Sequence, residues 1–264
     1  MAASQDKKTP EAATDQAPEI LPPDLSKESA DARLEGAAEQ FPWMFARRTT
    51  TPLDPDPMNP AYARANLDET PATLLAFWFG PPGRPISLKA RNRIWFGGGA
   101  DVDRMIAGRF LDTVARLASG EALRWAMRGP RERLAAIIGL DQFSRSVFRG
   151  LPDAFENDAL ARRLTLDGLA RGDDQKLAPL ERWFMYMPLE HAEDVRLQRK
   201  SVKLFTELAA SAPADLRPIL TSALGHAKEH AATIRRFGRF PYRNIALGRE
   251  STPEEAGWLA RRKR

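Results

Sequence analysis

The chain has 264 residues, 43 % of them hydrophobic and 28 % charged, an ordinary globular mixture in a length that suits one or two domains. It has no cysteine, which excludes disulfides, thiolate metal sites, iron–sulfur clusters and a cysteine nucleophile, and fits a reducing, cytoplasmic setting. No run of ~18 apolar residues exists and the first residues (MAASQDKKTPEAATDQ) lack an apolar stretch, so neither a membrane partner nor a signal peptide is expected.

The net charge of +5 hides an asymmetry. Residues 1–70 carry 7 Lys and Arg against 13 Asp and Glu, a net −6, with 9 of the 21 prolines; residues 71–264 carry a net +11. An acidic, proline-rich stretch with few large apolar residues buries too little surface to offset its ordering entropy, so 1–70 reads as a disordered extension and 71–264 as the folded domain. Phe41-Pro-Trp-Met-Phe45 is an apolar cluster within that extension, either a docking motif or part of a solvated spacer. The basic remainder attracts anions, with arginine suited to bidentate carboxylate and phosphate capture, although a GC-rich genome enriches arginine without any binding.

From residue 70 the pattern is helical. Thr70-Pro71 reads as an N-cap with proline at N1, opening an apolar run that Gly80-Pro-Pro-Gly83 stops. A short element spans Arg91–Phe96 and ends at a triple glycine that lacks the strand and the GK[ST] of a phosphate loop. Asp101 reads as the cap of a helix carrying Val102, Ile106, Phe110, Val114 and Leu117, ended by Gly120. Pro130 starts a helix with Leu134, Ile137, Ile138 and Phe143. Asn157 or Asp158 caps another, running to about Arg171. Pro179 opens a fifth, which Pro188 interrupts, and helical register resumes from Val195. A long helix follows from Leu216 to Phe237, then an irregular segment to Arg249, then the capping box Thr252-Pro-Glu-Glu255 before a last helix. With no period-two alternation, the fold class is all-α, built of antiparallel helical hairpins.

Charge falls on predicted core faces in three places. Leu134, Ile138, Asp141, Arg145 and Arg149 form one stripe, with the charged residues at i, i+4 and i+8. Buried charges must pair, so this is either an inward anion site or a structural ion-pair network. Glu190, His191 and Glu193 follow Pro188; a histidine beside carboxylates can exchange protons, whereas acids alone would suit a helix N-terminus. His226 and His230 share the apolar stripe of the long helix with Ile219, Ile234 and Phe237. Their spacing can hold a metal, but residue 227 is alanine where a metalloprotease motif has glutamate, and two core histidines are the preferred reading: no metal and no cofactor are expected. The loop 238–249 carries Arg239, Arg243 and Arg249, suited to anion capture or to tying the loop down through carbonyls.

Leu140-Asp-Gln-Phe-Ser-Arg-Ser-Val-Phe-Arg-Gly150, Pro188-Leu-Glu-His-Ala-Glu-Asp194, Phe237-Gly-Arg-Phe-Pro-Tyr-Arg-Asn244 and Leu247-Gly-Arg-Glu-Ser-Thr252, with Phe77-Trp-Phe-Gly80 and Trp95-Phe96, resemble the signatures of bacterial domain-of-unknown-function family 924 over about residues 71–260. The resemblance implies a helical fold similar to tetratricopeptide-repeat proteins and no established activity. Its motif residues are Asp141, Gln142, Arg145, Arg149, Glu190, His191, Glu193, His230, Gly238, Arg239, Phe240, Pro241, Arg243, Asn244 and Arg249. The chain departs from the pattern at Ser146, Ala192 and Tyr242, where the family usually has asparagine, serine and histidine.

These residues are expected to meet in one pocket. The preferred function is binding of a small anionic metabolite or an acidic peptide by Asp141, Gln142, Arg145, Arg149, Glu193, Arg239, Arg243, Asn244 and Arg249. The alternative is an enzyme of hydrolase or lyase type, with His191, paired to Glu190, or His230 as general acid or base and arginines stabilising negative charge. Nucleic acid ranks last as a partner, because the notable arginines lie on predicted core faces and not in exposed basic stripes.

Overall fold

The computed structural model describes residues 69–83, 87–96 and 99–262. The disorder expected over most of residues 1–70, and the Phe41–Phe45 cluster, lie outside the described residues. The described residues form helices and no strand. In chain order the α-helices are α1 (Pro71–Phe79), α2 (Leu88–Trp95), α3 (Ala100–Arg116), α4 (Ala122–Arg128), α5 (Pro130–Ile138), α6 (Ser144–Val147), α7 (Asp158–Ala170), α8 (Pro179–Glu190), α9 (Val195–Ala210), α10 (Arg217–Phe237) and α11 (Pro253–Arg262). Consecutive helices pack as hairpins, α4 with α5, α8 with α9 and α9 with α10. α5 is the centre, in contact with α1, α4, α7 and α8. Its residues Leu134 to Ile138 are all fully buried. Each large apolar side chain buried there contributes about 1.5–3 kcal/mol. Beside α5, an aromatic cluster joins α1, α3 and α8: Trp78 meets Phe143 at 5.4 Å and Phe184 at 5.3 Å, and Phe110 meets Phe143 at 4.5 Å between ring centroids.

The caps follow the local chemistry. Thr70 accepts from the Thr73 N–H, with Pro71 at N1. Asp194 accepts from the N–H groups of Arg196 and Leu197 at 2.7 and 3.0 Å and opens α9. Thr252 and Glu255 form the reciprocal capping box of α11.

Several boundaries differ from the sequence expectation. Glu69, just ahead of the expected start at residue 71, is 5 % exposed and its carboxylate receives Arg109 of α3 at 2.6 Å. Gly99, not Asp101, is the cap of α3; Asp101 sits in the first turn, where the positive helix end favours a carboxylate. The second element starts at Leu88, capped by Ser87, three residues before Arg91. α4 was not foreseen; Gly120, at φ 109°, turns the chain out of α3, and Trp125 of α4 is buried. Pro188 does not interrupt α8, which continues to Glu190; in the last turn a proline forgoes only the bond its own N–H would make. The break comes instead at His191, the C-cap. Finally, α5 does not run straight into α6. A π-helical segment, Gly139–Phe143, lies between them, and α6 ends at Val147, so Arg149 has left the stripe that contains Asp141 and Arg145.

Candidate functional site

Four chain segments meet at the polar interior. The π segment and α6 supply Asp141, Gln142 and Arg145; the start of α7 supplies Asp158; the end of α8 supplies Glu190 and His191; and α10 with the turn after it supplies His230, Tyr242 and Arg243.

Asp141 is 1 % exposed. The Nδ1 of His191 lies 2.8 and 3.0 Å from its two oxygens, the Gln142 amide donates at 2.5 Å, and an Arg145 terminal nitrogen stands 3.2 Å away. Burial by itself would raise the Asp141 pKa; the charges of Arg145 and His191 and the bonds from His191 and Gln142 outweigh it and hold the carboxyl well below the usual range. A second pair stands alongside. His230 Nδ1 lies 2.6 Å from Oε1 of Glu190, itself 3 % exposed, and the two imidazoles contact each other at 6.2 Å between centroids. The pairing therefore differs from the one expected: Asp141, not Glu190, serves His191, because adjacent residues at a helix end point about 100° apart and Glu190 turns toward α10. In both histidines Nδ1 is engaged by a carboxylate. The Tyr242 hydroxyl stands 3.3 Å from His230 Nε2, at the position where the resemblance has histidine.

The arginines divide into two groups. Arg145 donates to the Asp141 carbonyl at 2.6 Å and to Asp158 at 3.1 Å; burial lowers its pKa, but Asp141 and Asp158 outweigh this and the net shift is upward. Arg243 is 6 % exposed and donates to the same Asp158 at 3.3 Å and to the His191 carbonyl at 3.1 Å. Its guanidinium lies between the rings of Phe155 and Phe240, at 4.7 and 4.6 Å, and its pKa is lowered by burial and by the like charge of Arg145. Arg149 does not pair with Arg145's partners; it forks onto Asp103 of α3 at 2.5 and 2.8 Å and stands at the rim. Arg239 and Arg249 belong to the second group. Arg249 binds Glu193 through two nitrogens at 2.8 and 3.0 Å, and Glu193 also accepts from the Phe240 N–H at 2.8 Å. Arg239 binds both oxygens of Glu255 at 2.6 and 2.7 Å, and this bond, with the Thr252 N–H, brings the Glu255 pKa down to about 2. Asn244 donates to Ser251 and to Glu255. Glu193, Arg239, Asn244 and Arg249 thus tie the 238–249 loop to α11 and to the turn after α8, and none of them lines a cavity described below.

Two cavities flank the histidines. One, of about 270 Å³, is lined by Arg145, Arg149, Phe155, His191, His230, Tyr242 and Arg243, with Gly150 and Ala154. The other, of about 440 Å³, is lined by Asn92, Phe96, Trp183, Met187, Glu190, His191, Ile219, Ser222, Ala223, His226 and His230. His191 and His230 line both. Three predicted motifs therefore meet at the smaller cavity, with Asp141, Gln142 and Glu190 behind its wall. His226 lies at the exposed side of α10, because the buried line of that helix runs through Leu220, Ala223, Ala227 and Ile234, and of these only Ile234 lies on the stripe expected. Among the described residues, no three His, Cys, Asp or Glu side chains cluster closely enough to hold a metal ion.

Sequence reasoning missed Asp158, seen only as a cap, although a carboxylate was required somewhere by the buried arginines. It also missed the larger cavity, although Glu190, His191, His226 and His230 in its wall stand out in the sequence, and Gln198, which is 1 % exposed and holds the turn between α8 and α9 by donating to the carbonyls of Glu190 and Ala192 at 2.6 and 2.8 Å.

No helix among the described residues is long and apolar enough to cross a membrane. None of the curated proteins matches the chain. A solved structure of a protein of unknown function from Agrobacterium tumefaciens is similar over 72 % of this chain and 96 % of its own, at 35 % identity and a TM-score of 0.59. Residues 74–263 match the family described as bacterial protein of unknown function, DUF924. With that match over most of its length and the three signatures converging on one polar interior, the chain belongs to the DUF924 family.

Proposed function

We propose that the protein binds a small anionic molecule in the cavity walled by Arg145, Arg149 and Arg243. The observation that carries this reading is the charge arrangement at Asp158, where Arg145 and Arg243 share one carboxylate. Asp141, the second carboxylate beside Arg145, is also bonded to His191, so neither guanidinium has a carboxylate to itself. The Arg243 Nε–H is buried without an acceptor. An anion at the cavity wall gives these guanidinium groups a further acceptor where water screens little. The volume of about 270 Å³ suits a metabolite-sized group, or one carboxylate of an acidic peptide, in preference to an extended chain.

The test is thermal unfolding in inorganic phosphate against chloride at equal ionic strength. Wild type is expected to gain a saturable rise in Tm in phosphate. Arg149→Ala, at the rim, weakens it several-fold, and Arg243→Met abolishes it. Equal Tm values for wild type in the two salts would remove this reading.

A second reading, acid–base catalysis on the bound anion, is favoured by the two histidine–carboxylate pairs. A carboxylate on Nδ1 fixes the ring and leaves Nε2 as the atom that exchanges a proton. Carbethoxylation by diethyl pyrocarbonate reads this directly: modification of His191 is expected to slow when phosphate is present. Modification at the same rate with and without phosphate would separate the histidine from the anion.

A further inference from the structure

The two cavities that share His191 and His230 differ in chemistry. The smaller is walled by three arginines, whereas the larger combines the apolar side chains of Phe96, Trp183, Met187, Ile219 and Ala223 with Asn92, Ser222, Glu190 and the three histidines. The larger has no arginine or lysine in its wall, and its one carboxylate, Glu190, is already bonded to His230. We infer that the ligand is an amphipathic organic anion, a carboxylate or phosphate head carrying an aromatic or aliphatic body, with the head among the arginines, the body in the larger cavity and the junction at the histidine pair. This rests on the anion reading above and adds the ligand's class and orientation to it.

Three observations support it. First, a ligand with only a charged head leaves the larger cavity unused, and an apolar ligand alone leaves Arg145 and Arg243 sharing Asp158 and the Arg243 Nε–H without an acceptor. Second, Phe96 is 49 % exposed yet packs on the core, stacked on Trp183 at 5.3 Å and nearly parallel to Phe184 at 6.2 Å. A large ring held half in solvent at a cavity edge is a surface that an apolar body covers. Third, His191 and His230 line both cavities, so a single ligand that fills both lies against the two imidazoles. That puts the bond linking head to body beside the groups fitted for proton transfer.

The experiment is a titration of the full chain with two homologous series, straight-chain carboxylates and monoalkyl phosphates, together with inorganic phosphate and the matching neutral alcohols. Affinity is expected to rise about fourfold per added methylene in at least one charged series until the cavity is filled. The alcohols are expected to bind at least tenfold more weakly than the anions of equal length. Ser222→Phe, which fills the larger cavity from the exposed side of α10, is expected to remove the chain-length gain, with circular dichroism and inorganic phosphate affinity read in the same variant to separate a local block from lost structure. Inorganic phosphate binding with no chain-length gain would overturn this inference and leave the anion reading standing. Failure of every anion would overturn both, and alcohols binding as tightly as the anions would overturn the assignment of the head.

Discussion

Asp141 accepts bonds from His191 and Gln142 and pairs with Arg145 while almost wholly removed from water. A carboxyl whose folded pKa lies below its unfolded value of about 3.9 stabilises the fold at pH values above 3.9, and this stability is lost as pH falls toward the folded value. Asp141→Asn is therefore expected to cost about 3–5 kcal/mol in urea at neutral pH, since it leaves Arg145 short of a partner. It is also expected to flatten the decline of stability below about pH 4. An equally steep acid decline in the variant would assign that decline to other carboxylates. The sequence shows Asp141 as a charge on a core face, which is why it can be picked out; its partner His191 lies 50 residues away, beyond the reach of helical periodicity, and the nearer Glu190 is the wrong choice.

Gly168 shows how a helix contact sets a residue. It lies on α7 where α7 crosses α5 and α8, and a Cβ there would stand 2.4 Å from the Met185 Cε and 2.7 Å from the Arg133 Cδ. The methionine tip can move. The Arg133 stem cannot, because its guanidinium is fixed to Asp173 and to the Ala126 carbonyl, both at 3.0 Å. Alanine would improve helix propensity by about 1 kcal/mol. Overpacking costs about 1–3 kcal/mol, so Gly168→Ala is expected to lower the denaturant midpoint. A raised midpoint would mean that the Arg133 stem yields. At this scale most starts and stops are written locally: Thr70-Pro71, Asp194 and Thr252-Pro253 each act through bonds within one turn. The π segment Gly139–Phe143 is not legible, because it differs from an α-helix only in which carbonyl each N–H finds. That small difference moves Arg149 off the stripe and onto Asp103.

Taken as a whole, the described residues place a charge pair, Glu69 with Arg109, ahead of the first helix. A chain starting a few residues before Glu69 is expected to keep the thermal stability of the full chain, in keeping with the proposal that residues 71–264 and the two before them form the folded unit. One starting at Pro71 loses the Thr70 cap, about 1 kcal/mol, and in addition the buried Glu69–Arg109 pair. Equal Tm values for the two shortened chains would show that Arg109 does not need its partner. The all-α class, most of the helices, the caps at Thr70, Asp194 and Thr252 and the charges on core faces are legible in the sequence itself, since helical periodicity and caps act through neighbours within four residues. Tertiary structure alone decided which carboxylate serves which histidine, which arginines face a cavity and which brace a loop, and that a second, larger cavity lies beside the histidines. Those outcomes depend on groups 50 to 85 residues apart, Asp141 with His191 and Asp158 with Arg243, which come within bonding distance only after α5, α7, α8 and α10 have packed.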